Sequence, residues 1–212
     1  MKKFILFASV AIATLMMASC QSCTKKVDPV VVPKDTTIVV ETVNQTDFNN
    51  MSLQFGPTDF KWYETNILLK EFLDEECSGE IQELVNIYQT ITTKDSLSYD
   101  TQVFKIQHFT DGSEITDSIK GFWIEDYPIN PDDIKISYKE AFDKVMTANI
   151  IKPHSRYVTI RKPIGPLACN PQYVFGNIKT QVWVDATTGE VKNNNPAFPK
   201  DFTFSAPLGE WP

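Results

Sequence analysis

Several short stretches of the chain alternate hydrophobic and polar residues or are rich in β-branched residues, as strands with one buried face do. They cover 36–43, 84–93, 102–109 and 119–126 in the first half, and 157–161, 172–175 and 180–185 in the second. The dipeptide Asp111-Gly112 lies between two of them and is typical of a hairpin turn, because glycine accepts a positive φ at no steric cost. An antiparallel meander is therefore expected over 84–126.

Two segments place apolar residues at helical spacing. The first is 59–76, where Trp62, Ile67 and Leu68 begin an apolar stripe. The second starts at Ser137, whose hydroxyl can accept from the Glu140 amide while the Glu140 side chain returns to the Ser137 amide, as in a capping box. Its buried stripe is expected to comprise Ala141, Phe142, Val145 and Met146. These patterns predict an α+β fold in which one or two helices pack on antiparallel sheet.

The N-terminus has the layout of a secretory signal peptide. Lys2 and Lys3 precede an apolar run over 4–17, which is shorter than the ~20 residues of a membrane-spanning helix. The following Met17-Ala18-Ser19-Cys20 resembles the bacterial lipobox, in which the cysteine receives acyl chains such as palmitate before cleavage. We therefore expect residues 1–19 to be removed and Cys20 to be lipidated, with Cys23 as a poorer competing site.

The mature chain is then expected to be held to a membrane of the bacterial cell envelope, facing either the periplasm or the exterior. Residues 20–35 are polar and contain two prolines, which predicts an extended tether. Beyond it, 36–128 are expected to form an N-terminal α+β region and 129–212 a C-terminal domain with an irregular tail.

Composition and charge narrow the classes of function. With 42% hydrophobic and 12% aromatic residues the chain can build a core, and its net charge of −7 disfavours nucleic acid as a partner. Two further cysteines, Cys77 and Cys169, lie one in each half of the folded body. In an oxidising envelope compartment they either form a disulfide or remain separate buried thiols.

The C-terminal half resembles a known family. The helix at 137–145 and the segment QVWVDATTGEV at 181–191 are similar to the PepSY domain, which characteristically ends in a strand of the form Val-x-Val-Asp-x-x-Thr-Gly-x-Val. The resemblance covers about residues 131–192, and the Pro-rich loop at 162–171 departs from it. Residues 59–126 repeat the order of a helix followed by strands, which allows a degenerate second copy. PepSY domains occur in propeptides of thermolysin-like metallopeptidases and in envelope proteins, so the resemblance implies peptide binding or peptidase regulation without catalytic residues.

The sequence contains few residues in patterns typical of catalytic or metal-binding sites. His108 and His154 have no carboxylate or cysteine near them at metal-ligand spacing, so we expect no metal site and no cofactor. No nucleophile elbow, phosphate loop or dinucleotide motif is present. Trp183 lies between two valines of a predicted strand, so alternation turns it outward, where it could form a binding surface with Tyr173.

These patterns lead to three hypotheses. The first is a non-catalytic module that binds an envelope protein or peptide or regulates a peptidase. The second is a structural or glycan-associated surface lipoprotein, and the third is a hydrolase whose active-site residues are dispersed along the chain.

Overall fold

A computed structural model of the protein describes residues 36–95, 98–177 and 180–200, which lie within one compact unit. Its helices are α1 (Val40–Phe55), a short 3-10 helix η1 (Pro131–Asp133) and α2 (Tyr138–Thr147). Its strands are β1 (Phe60–Leu69), β2 (Ile81–Asp95), β3 (Ser98–Phe109), β4 (Glu114–Lys120), β5 (Asp126–Tyr127), β6 (Tyr157–Pro163), β7 (Gln172–Asn177), β8 (Thr180–Asp185) and β9 (Val191–Lys192). Cys20, Cys23, the tether and residues 201–212 lie outside the described part.

The described strands form one sheet of nine, with the order β4-β3-β2-β1-β6-β7-β8-β9 and β5 beside β6. All of their pairings are antiparallel. A helix followed by four strands occurs twice, as α1 with β1–β4 and as α2 with β6–β9. The first strands of these two runs, β1 and β6, pair at the middle of the sheet. The predicted α+β class, with helices on antiparallel sheet, is confirmed.

Both α-helices pack on the same face of the sheet. Phe55 of α1 contacts Phe104 of β3, with ring centroids 5.1 Å apart, and Phe142 of α2 contacts Phe175 of β7 at 6.4 Å. A single cluster of buried side chains joins both helices to the strands. Its fully buried members include Ile67, Leu69, Leu84, Tyr88, Ala141, Val145, Phe175, Val184 and Ala186. The unbroken sheet and its shared core therefore span the expected boundary near residue 128.

Helix α1 replaces the strand that was predicted at 36–43. Residues 36–39 form no strand, the helix begins at Val40, and its buried positions are Val40, Asp47 and Met51. The N-cap residue, Val39, offers no side-chain hydrogen bond, so the usual start signal is missing. Asp47, a charged residue among the buried positions of α1, also interrupts the apolar pattern by which a helix is recognised in a sequence.

The helix predicted at 59–76 is also wrong, because most of this segment is strand β1. A bulge between Trp62 and Glu64 adds one residue, so that Trp62, Thr65, Ile67 and Leu69 are buried along the strand. Across the bulge, the buried residues Trp62 and Thr65 are three positions apart instead of two. A spacing of three is typical of a helix, which explains the wrong prediction.

The meander over 84–126 is confirmed with one change of boundary. The predicted strands 84–93 and 102–109 lie within β2 and β3, but β4 runs from Glu114 to Lys120 rather than over 119–126. The β3–β4 turn contains Gly112 at φ 82°, and its amide donates to Phe109 O at 3.0 Å. Residue 112 therefore uses the conformational freedom that only glycine has without strain.

The C-terminal elements agree closely with the sequence. At the start of α2, the Glu140 amide donates to Ser137 Oγ at 3.2 Å and the Ser137 amide donates to Glu140 Oε2 at 2.8 Å, so the capping box is confirmed. After β8, Asp185 Oδ1 accepts from the amides of Thr187 and Thr188 at 2.9 and 2.8 Å, and Gly189 has φ 73°. The Asp-x-x-Thr-Gly segment is thus a self-capped turn between β8 and β9.

Candidate functional site

Trp183 and Tyr173 are buried, so the predicted outward binding surface is wrong. Trp183 is 4% exposed and Tyr173 is 1% exposed, and the Tyr173 hydroxyl donates to Ile136 O at 2.7 Å. Strand β8 has Val182, Trp183 and Val184 all buried, which shows that both of its faces are covered. Alternation predicts an exposed face only where one side of a strand meets water.

Cys77 and Cys169 are separate free thiols, so the disulfide considered from the sequence is not formed. Cys77 follows Leu73, whose amide donates to Ser155 O just before β6 begins, whereas Cys169 Sγ lies 3.9 Å from Pro163 O, where β6 ends. Burial raises the pKa of both thiols, which makes them less reactive.

The sheet face opposite α1 and α2, called here the second face, contains the most distinctive surface of the described part. Strand register places a row of six neighbouring residues across it, four of which are charged: Asp117, Lys105, Ile87, Glu64, Arg161 and Gln172. A neighbouring row comprises Ile115, Gln107, Val85, Asn66, Thr159, Val174 and Trp183. The second face therefore mixes apolar side chains with paired charges.

Residues 121–127, called the crossing segment, run over this second face between β4 and β6. The Trp123 amide donates to Gln89 Oε1 at 2.6 Å, and Asp126 Oδ1 accepts from Arg161 Nε at 2.7 Å. These two contacts attach the segment to β2 and β6. Its outward residues Phe122 and Ile124 remain 64% and 78% exposed.

Five exposed apolar side chains lie along β4, at the edge of the sheet, and along the crossing segment, which leads from the end of β4 to β6. We define the β4 patch as Ile115, Ile119, Phe122, Ile124 and Tyr127, all of which are classed as exposed. Strand β4 is exposed at all seven positions and ends the strand order, so its outer backbone edge has no neighbouring strand among the described residues. Exposed apolar clusters of this kind often mark interaction sites.

Asp126 of the crossing segment and Glu64 of β1 form a buried pair of acids, which are 4% and 6% exposed. Burial and a hydrogen bond with Asp126 raise the pKa of Glu64 to about 7, although Asn66 and Arg161 act to lower it. Asp126 Oδ2 is buried and receives no hydrogen bond from a neighbouring amide or cation in the described structure. A proton on Glu64 would give this oxygen a donor, so the buried position favours the protonated form of Glu64.

His108 has carboxylates beside it, contrary to the expectation from spacing. Its Nε2 is 2.9 Å from Asp47 Oδ2 and its Nδ1 is 3.7 Å from Glu114 Oε2. Asp47 is 61 residues away in sequence on α1, a helix that the sequence did not predict, so no local signal could have found the group. His154 instead stacks on Phe72, with ring centroids 4.5 Å apart.

Comparison with models of protein families, with curated proteins and with solved structures gave no match. Within the described residues, no helix combines the length and apolar character needed to cross a bilayer.

Proposed function

We propose that this protein is a lipid-anchored, non-catalytic module of the bacterial cell envelope that binds an extended peptide segment of a partner protein at β4. The observation that carries the proposal is the exposure of Ile115 and Ile119 in the β4 patch, on a strand whose outer edge has no neighbour among the described residues. The PepSY resemblance of 131–192 adds peptidases and their substrates as a partner class. The repeated order of a helix and four strands supports a second, degenerate copy in 36–128.

The chemistry of β4 favours an extended partner. An edge strand presents a row of backbone donors and acceptors that another strand can join, and alternate side chains then provide specificity. Ile115 and Ile119 lie on the second face at alternate positions, with Asp117 between them. Together with Glu114 and the net charge of −7, Asp117 favours a partner that places basic residues beside its apolar ones.

The anchoring part of the proposal rests on the N-terminal sequence. Each buried acyl methylene adds ~0.8 kcal/mol of membrane affinity, so two or three chains on Cys20 would hold the folded body at a bilayer. Cells fed radiolabelled palmitate should label the protein, and Cys20→Ser should abolish both the label and sedimentation with membranes. Cys23→Ser is the matched control and should keep both. Label that survives Cys20→Ser would disprove this assignment.

The binding part can be tested with a displayed library of random peptides selected on the purified protein. We expect enrichment of peptides with apolar residues at alternate positions and basic neighbours. The double variant Ile115→Asp/Ile119→Asp should weaken the selected peptides at least about tenfold, because two charges would enter the apolar contact.

Ile151→Asp is the control for this experiment, because Ile151 is 88% exposed and lies outside the β4 patch. It should bind the selected peptides as the unaltered protein does, and circular dichroism should show that all variants are folded. A library that yields no enriched peptide, or peptides that bind the double variant equally well, would refute binding at β4.

A further inference from the structure

A cluster of possible metal ligands, one buried, one intermediate and one exposed, lies between α1 and the β3–β4 hairpin. Asp47, on α1, is 1% exposed, and its Oδ2 lies 2.9 Å from His108 Nε2. Glu114, at the start of β4, approaches the same imidazole from its other nitrogen. One ligand atom from each residue can be chosen so that all three lie within 4.8 Å of one another.

Further polar groups hold the Asp47 carboxylate in place. Asn86 Nδ2 donates to Asp47 Oδ2 at 2.7 Å, and the Thr65 hydroxyl donates to Asn86 Oδ1. Asn86 and Thr65 are fully buried on adjacent strands, so this chain is rigidly packed. Metal sites depend on such outer hydrogen bonds to orient their carboxylate ligands.

Tyr88 is a further buried polar side chain on the sheet face that carries Asn86 and His108. Tyr88 is 0% exposed, and its hydroxyl has no hydrogen-bond partner in the described structure. Tyr88 lies two residues from Asn86 on β2, so the two side chains point to the same face of the sheet. A buried hydroxyl without a partner is costly, and a water or ion at the cluster would provide one.

The cluster can be reached from solvent. His108 lines a cavity of about 230 Å³, together with Phe109, Gly112 and Ser113 of the hairpin and the first turn of α1. The Glu114 side chain is 50% exposed, so it can change rotamer without disturbing the core. An ion therefore has a path to the imidazole and a mobile third ligand.

We propose that Asp47, His108 and Glu114 bind one divalent transition-metal ion, for which zinc is the best fit. One imidazole nitrogen and two carboxylates form a mixed nitrogen and oxygen set that suits zinc, whereas calcium and magnesium prefer oxygen alone. Zinc–ligand distances of about 2.0–2.1 Å place tetrahedral ligand atoms roughly 3.3 Å apart. Asp47 and His108 must therefore separate slightly, and Glu114 must turn toward Nε2. Water in the fourth position would face the cavity.

The test is a calorimetric titration of the chelator-treated, purified protein with zinc chloride. We expect one equivalent to bind and the melting temperature to rise, because a ligand that binds only the folded state stabilises it. Magnesium and calcium should bind much more weakly. His108→Ala and Asp47→Asn should each lower the zinc affinity at least about tenfold.

Three further variants keep the result interpretable if changes at Asp47 or His108 disturb folding. Glu114→Gln alters a half-exposed side chain and should also weaken zinc binding about tenfold, with an unchanged circular dichroism spectrum. His154→Ala and Cys169→Ser remove other zinc-binding groups and should leave the affinity unchanged. If the protein binds no zinc, or if Glu114→Gln and His108→Ala bind it as tightly as the unaltered protein, the site does not exist.

Discussion

Glu64 lies at a buried position where a negative charge is costly, which raises its pKa. Its side chain lies under the crossing segment, beside Asp126, whose other oxygen is paired with Arg161. Burial and the neighbouring acid favour the protonated form, whereas Asn66 and Arg161 favour the ionised form. The raised pKa shows that the first pair of effects is larger. The acid pair is therefore a source of pH-dependent stability.

We predict that this group makes the protein less stable as pH rises. The folded-state pKa of about 7 is above the ordinary value of 4.5, so the folded state binds more protons between these pH values. The contribution is fully present below pH 4.5 and is lost as pH rises through 7. Glu64→Gln keeps a neutral hydrogen-bonding side chain, so at pH 8 it should be more stable than the unaltered protein by about 2 kcal/mol.

Urea unfolding between pH 4.5 and 8 measures this effect as a difference between the two proteins. The difference should be near zero at pH 4.5 and should grow toward pH 8. Glu125→Gln, at an exposed neighbouring position, should give a small difference that does not vary with pH. A Glu64→Gln difference that is equally flat would show that Glu64 is ionised in the folded protein.

At the scale of elements, the sequence predicts best where the determining contacts are local. Helix α2 has a capping box and an apolar stripe within one segment, and its position was predicted to within two residues. Helix α1 has neither signal, since its buried Asp47 is satisfied by Asn86 and His108 from strands far along the chain. Such pairings exist only after the sheet has formed, so the His108 cluster could not be predicted either.

Strands β1 and β8 show two other limits. The bulge at the start of β1 breaks the period of two, which no propensity rule foresees. The predicted outward position of Trp183 required β8 to have one solvent-exposed face, but both faces are covered and Trp183 is buried. The exposed patch was missed for a related reason: the predicted strand at 119–126 included Ile119 but not Ile115, and the sequence does not show that β4 is an edge strand.

The capping box of α2 permits a prediction at this same scale. Ser137→Ala removes the acceptor for the Glu140 amide and should destabilise the protein by about 1 kcal/mol. The melting temperature in differential scanning calorimetry should fall by a few degrees. Glu140→Gln, which keeps the reciprocal bond to the Ser137 amide, should have a smaller effect. Equal effects would mean that charge at the helix start, rather than the reciprocal bonds, stabilises α2.

For the whole molecule, the central question is whether the two helix-and-strands runs are independent. They meet where β1 pairs with β6, and several contacts join the runs across this line. Tyr138 OH donates to Gly79 O at 2.9 Å, Arg156 Nε donates to Leu69 O at 2.7 Å, and Glu41 accepts from the Tyr138 amide. Separating the runs would leave two long strand edges open and would expose one side of the shared core.

We therefore predict that neither 36–128 nor 129–212 folds alone and that the whole protein unfolds in one transition. Each fragment should give a poorly dispersed amide spectrum by NMR, because Val158 and Ile160 of one fragment are buried against Ile67 and Thr65 of the other. Co-expression is the control: if the sheet re-forms, the two fragments should co-purify and recover dispersion. A single denaturation curve by tryptophan fluorescence and far-ultraviolet circular dichroism should describe the whole chain. A fragment that folds cooperatively by itself would instead establish two domains that share a sheet edge but not their stability.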